Sequence, residues 1–456
     1  MEKKGAYIIG LSSCGEEVCA ASGRISTQKG TALEIFERSH DAEKNANLIS
    51  KVTKSGHTST VEHVFFNLAF ENVSVVVEQF MIEFRLASFT VKSRRYVDFA
   101  DSGYFVPQFE NEALKEKYVA HMDSLFALYS KLCESGIPKE DARFVLPYCF
   151  YSNFYCSLGG RELSNVLRAM IYGRGKDIPE IYNIGLSLLS QCKEKAPGVF
   201  SDFEEKNSSY ADAPSLPEIS EIESDSLPEA VEILSYNTDC EKNVARSALI
   251  EKYNLSSAAI EKVLEDKAIL KAAVDAVVAC DRPRALESAV FTVRFNSVSL
   301  STITHFVRHR IQSICIPSLT SCKRDSYIIP ATIRENEELF NLYVEAFEKN
   351  AKLYNELKAG GVSENDLVYV LLSGNVLDIV TTMNARELKL FLKLRTCTRA
   401  QWEIRELATE LLFKLRKICP VLFASYGPSC VCDGRCPEGR MCCGRTEEMR
   451  QKFLGE

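Results

Sequence analysis

"RELSNVL", Arg161–Leu167, returns as "RELKLFL", Arg386–Leu392. The two heptads lie 225 residues apart, and that shift aligns far more than seven positions. Glu62 falls on Glu287, Phe66 on Phe291, Phe70 on Phe295 and Val73-Ser74 on Val298-Ser299. Arg85, Ser88 and Ser93 fall on Arg310, Ser313 and Ser318, and Gly136 and Asp141 on Gly361 and Asp366. The offset holds without a gap from Glu16/Glu241 to Leu167/Leu392. Chance matches would need shifting offsets, so a constant one means tandem duplication. The expected organisation is a first copy over 1–200, a linker over 201–230, a second copy over 231–425 and a Cys-rich tail over 426–456. The linker is acidic and rich in Ser and Pro, a composition that buries little apolar surface.

Both copies share one local pattern. "VEILSY" (231–236) reads as a short strand, and "VFFNLAFENVS" alternates like a half-buried strand. The runs Val75 to Ala87 and Leu300 to Ile314 have helical spacing, which sets the basic triplet of the second run near a helix end. Asn384 to Ile418 is a long helical pattern, broken near Thr396 to Thr398. The class expected is mixed α/β (α+β), with a central sheet and long helices in each copy.

At 456 residues and 46% hydrophobic, the chain can bury sizeable cores. Its net charge of −7 argues against binding a nucleic acid polymer, though a local basic pocket for one phosphate is compatible with it. No apolar run reaches the roughly 18 residues that span a bilayer, so no membrane association is expected. The start, "MEKKGAYIIGLSSCGEE", does not read as a signal peptide. A cytoplasmic, reducing location suits the seventeen cysteines, twelve of them scattered among apolar segments.

The chemistry concentrates in "RHRIQSICIPS", Arg308–Ser318. Two guanidinium forks suit a phosphate, and a histidine between them favours its neutral ring. Alone, such a triplet is commonly a solvated or paired helix face. The whole constellation is more specific. Arg308-His309-Arg310 followed after seven residues by Ser318, "GHTSTVEH" (Gly56–His63), "EDARFVLP" (Glu140–Pro147) and "NARELKLFLKLRTCTRAQWEIREL" (Asn384–Leu407) resemble the motifs of flavin-dependent thymidylate synthases. The resemblance covers nearly both copies.

That resemblance implies FAD reduced by NADPH, dUMP as substrate and methylenetetrahydrofolate as carbon donor. It also implies active sites formed between subunits. Carried over by position, His57, Ser59, Glu62, Asn165, Arg308, His309, Arg310, Asn384 and Arg386 would hold FAD. Ser93, Arg95, Arg143, His305, Arg308 and Arg395 would hold dUMP, with Arg395 and His309 in catalytic roles.

The copies do not keep these residues equally. Copy one keeps His57, Ser59, Glu62 and His63, where copy two has Arg282, Arg284, Glu287 and Ser288. Copy two keeps Arg308-His309-Arg310, where copy one has Glu83-Phe84-Arg85. Ser93, Arg95 and Tyr96 face Ser318, Thr320 and Ser321, and Arg143 faces Val368. Arg395 and Asn384 face Met170 and Gly159, while Asn165 faces Leu390. The losses are complementary, so the two copies together would make one full site per chain, and the reciprocal site would be dead. A homodimer acting as a pseudo-tetramer is the closed assembly expected. The alternatives are a flavin- or nucleotide-binding relative without activity, or a flavin-dependent enzyme giving a different pyrimidine product. The tail's Cys430, Cys432, Cys436, Cys442 and Cys443 suit a metal by residue type, although their spacing matches no standard module.

Overall fold

The computed structural model describes residues 3–455 apart from 211, 213, 215 and 218–227. Two four-stranded antiparallel sheets are present. The first orders β1 (Gly5–Leu11), β2 (Phe65–Ser74), β3 (Ser88–Val91) and β4 (Tyr151–Gly159) as β1-β2-β4-β3. The second orders β5 (Val231–Tyr236), β6 (Val290–Ser299), β7 (Gln312–Cys315) and β8 (Val376–Asn384) as β5-β6-β8-β7. The class is the mixed α/β one read from the sequence, in two copies of one topology.

The agreement extends to irregularities. Ile8 pairs with Leu68 and Ile233 with Val293, and a bulge follows each at the same place. Asn72 and Ser297, both at positive φ, sit where β2 and β6 lose register with β4 and β8. Each kink is held by the opposite strand: Asn72 N–H donates to Asn153 Oδ1 at 2.9 Å, and Ser297 N–H to Asp378 Oδ1 at 2.8 Å. One face of each sheet is apolar and buried, with Phe66, Leu68 and Phe70 in the first and Phe291, Val293 and Phe295 in the second.

A buried brace fixes the helix that follows each central strand. Ser74 caps the helix Val75–Ile82, and Ser299 caps Leu300–Phe306. Ser74 donates its N–H and its Oγ–H to Glu180 at 2.8 and 2.5 Å. Ser299 does the same to Glu403 at 2.8 and 2.5 Å. Burial pushes the Glu180 carboxyl above its ordinary range, against the pull of these hydrogen bonds.

Two helical readings need shortening. The segments expected to be helical to Ala87 and Ile314 stop at Ile82 and Phe306, and the chain then forms β3 and β7. In copy two the cause is Gln312, whose Nε2 donates to the carbonyls of Phe306 and His309 at 2.6 and 3.1 Å. This caps the helix end while the Gln312 backbone pairs with Met383. The break near Thr396 is present, with helices Ala385–Arg395 and Trp402–Ile418 on either side.

The chain divides into two compact units, Met1–Ile222 with Ile329–Gly374, and Glu223–Ile328 with Asn375–Glu456. Inside the first unit, the helix Glu112–Glu134 packs antiparallel against Glu337–Ala359, with Lys117–Glu356 and Lys131–Glu338 ion pairs of 2.8 Å. Beside them Tyr148 N–H donates to the Leu371 carbonyl at 2.7 Å, and Ser373 N–H to the Leu146 carbonyl at 2.9 Å. These two bonds exchange under the 225-residue shift, so the contact has a local twofold. The segment read as a linker begins with a packed helix, Phe203–Asn207, where Asp202 meets Ser50 at 2.5 Å and Lys54 meets Glu205 at 3.0 Å. Much of its remainder lies outside the described residues.

Candidate active site

In the second unit the chain turns just after Phe306, so successive side chains of the triplet point in opposite directions. Arg308 and Arg310 are exposed, and His309 between them is 3% exposed. The His309 Nδ1 lies 3.0 Å from Glu387 Oε1, and Arg395 Nε donates to His309 Nε2 at 3.0 Å. A ring nitrogen facing a carboxylate carries the proton, and one facing a guanidinium accepts, so these bonds select the neutral Nδ1–H tautomer. Arg395 also donates through Nη2 to the His305 carbonyl at 2.9 Å. Its cation is therefore fixed from two sides at the end of its helix.

Asn384 takes a structural part in this arrangement. It caps the helix Ala385–Arg395, its Oδ1 accepting from Glu387 N–H at 2.9 Å, and so sets the first turn from which Glu387 reaches His309. Arg386 is exposed and pairs with Glu287 at 2.5 Å. Phe391 packs edge-on against the His309 ring at 5.0 Å.

The first unit gathers the other half of the expected residues. Ser93 opens a turn in which Arg95 N–H reaches Ser93 Oγ at 3.4 Å. Arg95 Nε pairs with Glu140, and the buried Arg143 donates through Nε to the Glu140 carbonyl at 3.1 Å. Ser93, Arg95 and Arg143 thus converge on one residue, two cations around a single carboxylate. Arg94 beneath them is buried, paired with Glu78, which also accepts from Ser152 at 2.5 Å.

His57 and Ser59 are exposed on the turn that leads into β2, and Glu62 pairs with Arg161 at 2.7 Å. Beside this turn is a cavity of about 640 Å³, lined by Thr58, Asn165, Lys54, Arg161, Arg168 and Lys206 among others. Four cations face one lining acid, Glu205. Sequence reading found Asn165 but missed Arg161, Arg168, Lys54 and Lys206. Arg161 carried a signal, since the 225-residue shift places it on Arg386.

Where copy two has His309 and Arg395, copy one has Phe84 and the buried Met170, and Glu83 is tied to Arg174 and Gln79. The tail does not assemble the metal set expected of it. Among the described residues no three His, Cys, Asp or Glu side chains form a group able to hold a metal ion. Cys430 is buried, Cys432 donates to the Gly427 carbonyl at 2.9 Å, and Cys442 and Cys443 are exposed.

The family model for the thymidylate synthase complementing protein matches twice, over residues 9–198 and 232–421. The chain belongs to this family. Its duplication is tandem, and the relatives it resembles are single-copy in length. The flavin-dependent thymidylate synthase of Clostridium tetani is 35% identical over 244 residues, which is 49% of this chain and 96% of that protein. Those of Geobacter sulfurreducens and Pyrococcus abyssi are each 32% identical, over 49% of this chain and 97% of their own length. The solved UMP/dUMP methylase PolB from Streptomyces cacaoi aligns with 46% of this chain and 97% of its own at 18% identity and a TM-score of 0.39, too weak a likeness to bear on function. Among the described residues no helix is long and apolar enough to cross a membrane.

Proposed function

We propose that the chain is a flavin-dependent thymidylate synthase that methylates dUMP to dTMP, with one live site per chain built from both copies. The observation that carries this is the complementary retention of residues. Copy one keeps Ser93, Arg95 and Arg143, and copy two keeps Arg308, His309 and Arg395. Independent decay would scatter the losses.

Ser93, Arg95 and Arg143 would take the dUMP phosphate, which would compete with Glu140 for Arg95. Charge-assisted bonds from planar guanidinium groups suit that dianion. Arg395, held by His309 and the His305 carbonyl, would stabilise charge developing on the pyrimidine, a task for a cation that need not reorganise. Arg308 would complete the contact with the nucleotide.

The cavity lined by Lys54, Arg161, Arg168 and Lys206 has the charge to hold a diphosphate, which fits FAD. Asn165, with His57, Ser59 and Glu62 at the cavity's edge, would hold it from copy one, and His309, Arg310, Asn384 and Arg386 from copy two. When bound and reduced by NADPH, the flavin supplies the hydride, and methylenetetrahydrofolate supplies the carbon. The protein's part is to bind, orient and neutralise charge. The local twofold between Leu146–Tyr148 and Leu371–Ser373 supports treating the two copies as a pair of subunits. Two chains would then make a cytoplasmic homodimer equivalent to a tetramer of single units.

The test is purification followed by assay. Yellow protein with bound flavin that converts dUMP to dTMP when given methylenetetrahydrofolate and NADPH is the expected result. Protein that binds flavin but forms another pyrimidine would replace the product assignment, and colourless protein that cannot be reconstituted would remove the enzyme reading.

A further inference from the structure

The Cys-rich tail follows only the copy that keeps Arg395; residues 201–230, which follow copy one, contain no cysteine. The tail is anchored at both ends. Asp433 pairs with Lys393 at 2.5 Å, and Phe453, buried with Met449, stacks on Phe413 with ring centres 6.0 Å apart. Between these anchors the chain meets the turn that follows Arg395. Arg399 Nε donates to the Met441 carbonyl at 2.6 Å, and the Cys443 thiol hydrogen-bonds Thr398.

The loop Cys436–Cys442 is already closed on itself. Gly439 has a φ of 51°, a left-handed turn that glycine adopts without strain. Met441 N–H donates to the Glu438 carbonyl at 2.8 Å, and Cys442 N–H to the Gly439 carbonyl at 3.1 Å. This folding brings the Cys436 and Cys442 thiols into hydrogen-bonding contact. Cys442 is exposed and Cys436 partly so, which leaves the pair open to small reagents.

We propose that Cys436 and Cys442 form a reversible disulfide that clamps the turn Thr396–Gln401 and so steadies the helix end presenting Arg395. The oxidant is a small-molecule disulfide. One thiolate attacks it, releasing one small thiol and leaving a mixed disulfide; the second cysteine displaces the other small thiol. Two protein thiols are oxidised and one small disulfide is reduced to two thiols, so electrons and protons balance. The Met441 carbonyl that receives Arg399 lies inside the closed loop, so bridging restricts the partner of the turn directly. Any effect on nucleotide binding rests on the proposed function; the bridge and its effect on the turn do not.

The experiment uses the full chain equilibrated with reduced or oxidised glutathione. Trypsin cleavage after Arg435, Arg440 and Arg445 leaves Cys436–Arg440 and Met441–Arg445 as separate peptides. In the oxidised sample the two should run as one species that reducing agent splits. Cys442→Ser should abolish it and Cys443→Ser should not. Amide hydrogen exchange over residues 396–401 should slow about threefold or more on oxidation, and not in Cys442→Ser. A bridge that runs through Cys443, no bridge at all, or a bridge that leaves exchange over 396–401 unchanged would each overturn the proposal. Loss of dUMP turnover with the bridge and its exchange effect intact would count against the proposed function alone.

Discussion

At the position where copy two buries His309 between Glu387 and Arg395, copy one has Phe84, with Glu162 and Met170 for partners. The reverse holds around the other half of the site. Copy one buries Glu78 with Arg94 and Ser152, and copy two has Ile303, Leu319 and Leu377 there. Each copy is polar inside where it keeps functional residues and apolar where it has lost them. The Ser74–Glu180 and Ser299–Glu403 braces, by contrast, match atom for atom. What the fold needs is present twice, and what the chemistry needs is present once.

The largest effect should come from breaking the buried pair in copy one. Glu78→Ala leaves Arg94 without its carboxylate and should cost roughly 3–5 kcal/mol. Replacing all three groups with their copy-two counterparts, Glu78→Ile with Arg94→Leu and Ser152→Leu, should recover most of that loss. Urea unfolding midpoints measure both. A triple variant as unstable as the single one would mean that the exchange between copies is not neutral to the fold.

Next comes the comparison of Arg395 with Met170. Arg395→Ala removes a charge-assisted contact of about 2–3 kcal/mol, so dUMP affinity should fall roughly thirtyfold to a hundredfold. Met170→Leu changes a buried apolar side chain at the equivalent position and should leave affinity unchanged. Calorimetric titration of both proteins reads the contrast, and equal losses would show that both site types bind.

The braces should respond alike. Ser74→Ala and Ser299→Ala each remove a helix cap and a donor to a buried carboxylate, at a cost of about 1–2 kcal/mol each. Thermal unfolding of the two variants would expose any inequality between the copies.

The smallest effect is a pH dependence at Glu180. Burial raises its folded pKa above the unfolded value, so the folded protein holds this proton to higher pH. Its stability contribution is full below the unfolded value, roughly 4.3, and falls as pH rises through the folded one. The stability of the unsubstituted protein should therefore decline relative to Glu180→Gln across that window. A difference independent of pH would mean that Glu180 titrates normally.

Much of this was legible in the sequence because the constant offset transfers every feature of one copy to the other. Strands, bulges and capping serines all obey it. The Glu180–Glu403 equivalence was hidden because copy one has two more residues before that helix, which shortens the offset to 223. Gln312 read as helical because its side chain, rather than its own backbone, finishes the helix. The cations at Lys54 and Lys206 come from segments far apart in the chain and share no motif. The packing of residues 329–374 with the first unit is equally nonlocal. The cysteines suggested a metal from residue type alone, and the loop geometry that separates Cys430 and Cys432 from Cys436 and Cys442 is not written in their spacing.

The central claim is that two copies make one nucleotide site. Its most direct test is the stoichiometry of dUMP binding to the flavin-loaded protein by isothermal calorimetry. One dUMP per chain is the predicted result, and two equal sites per chain would contradict it.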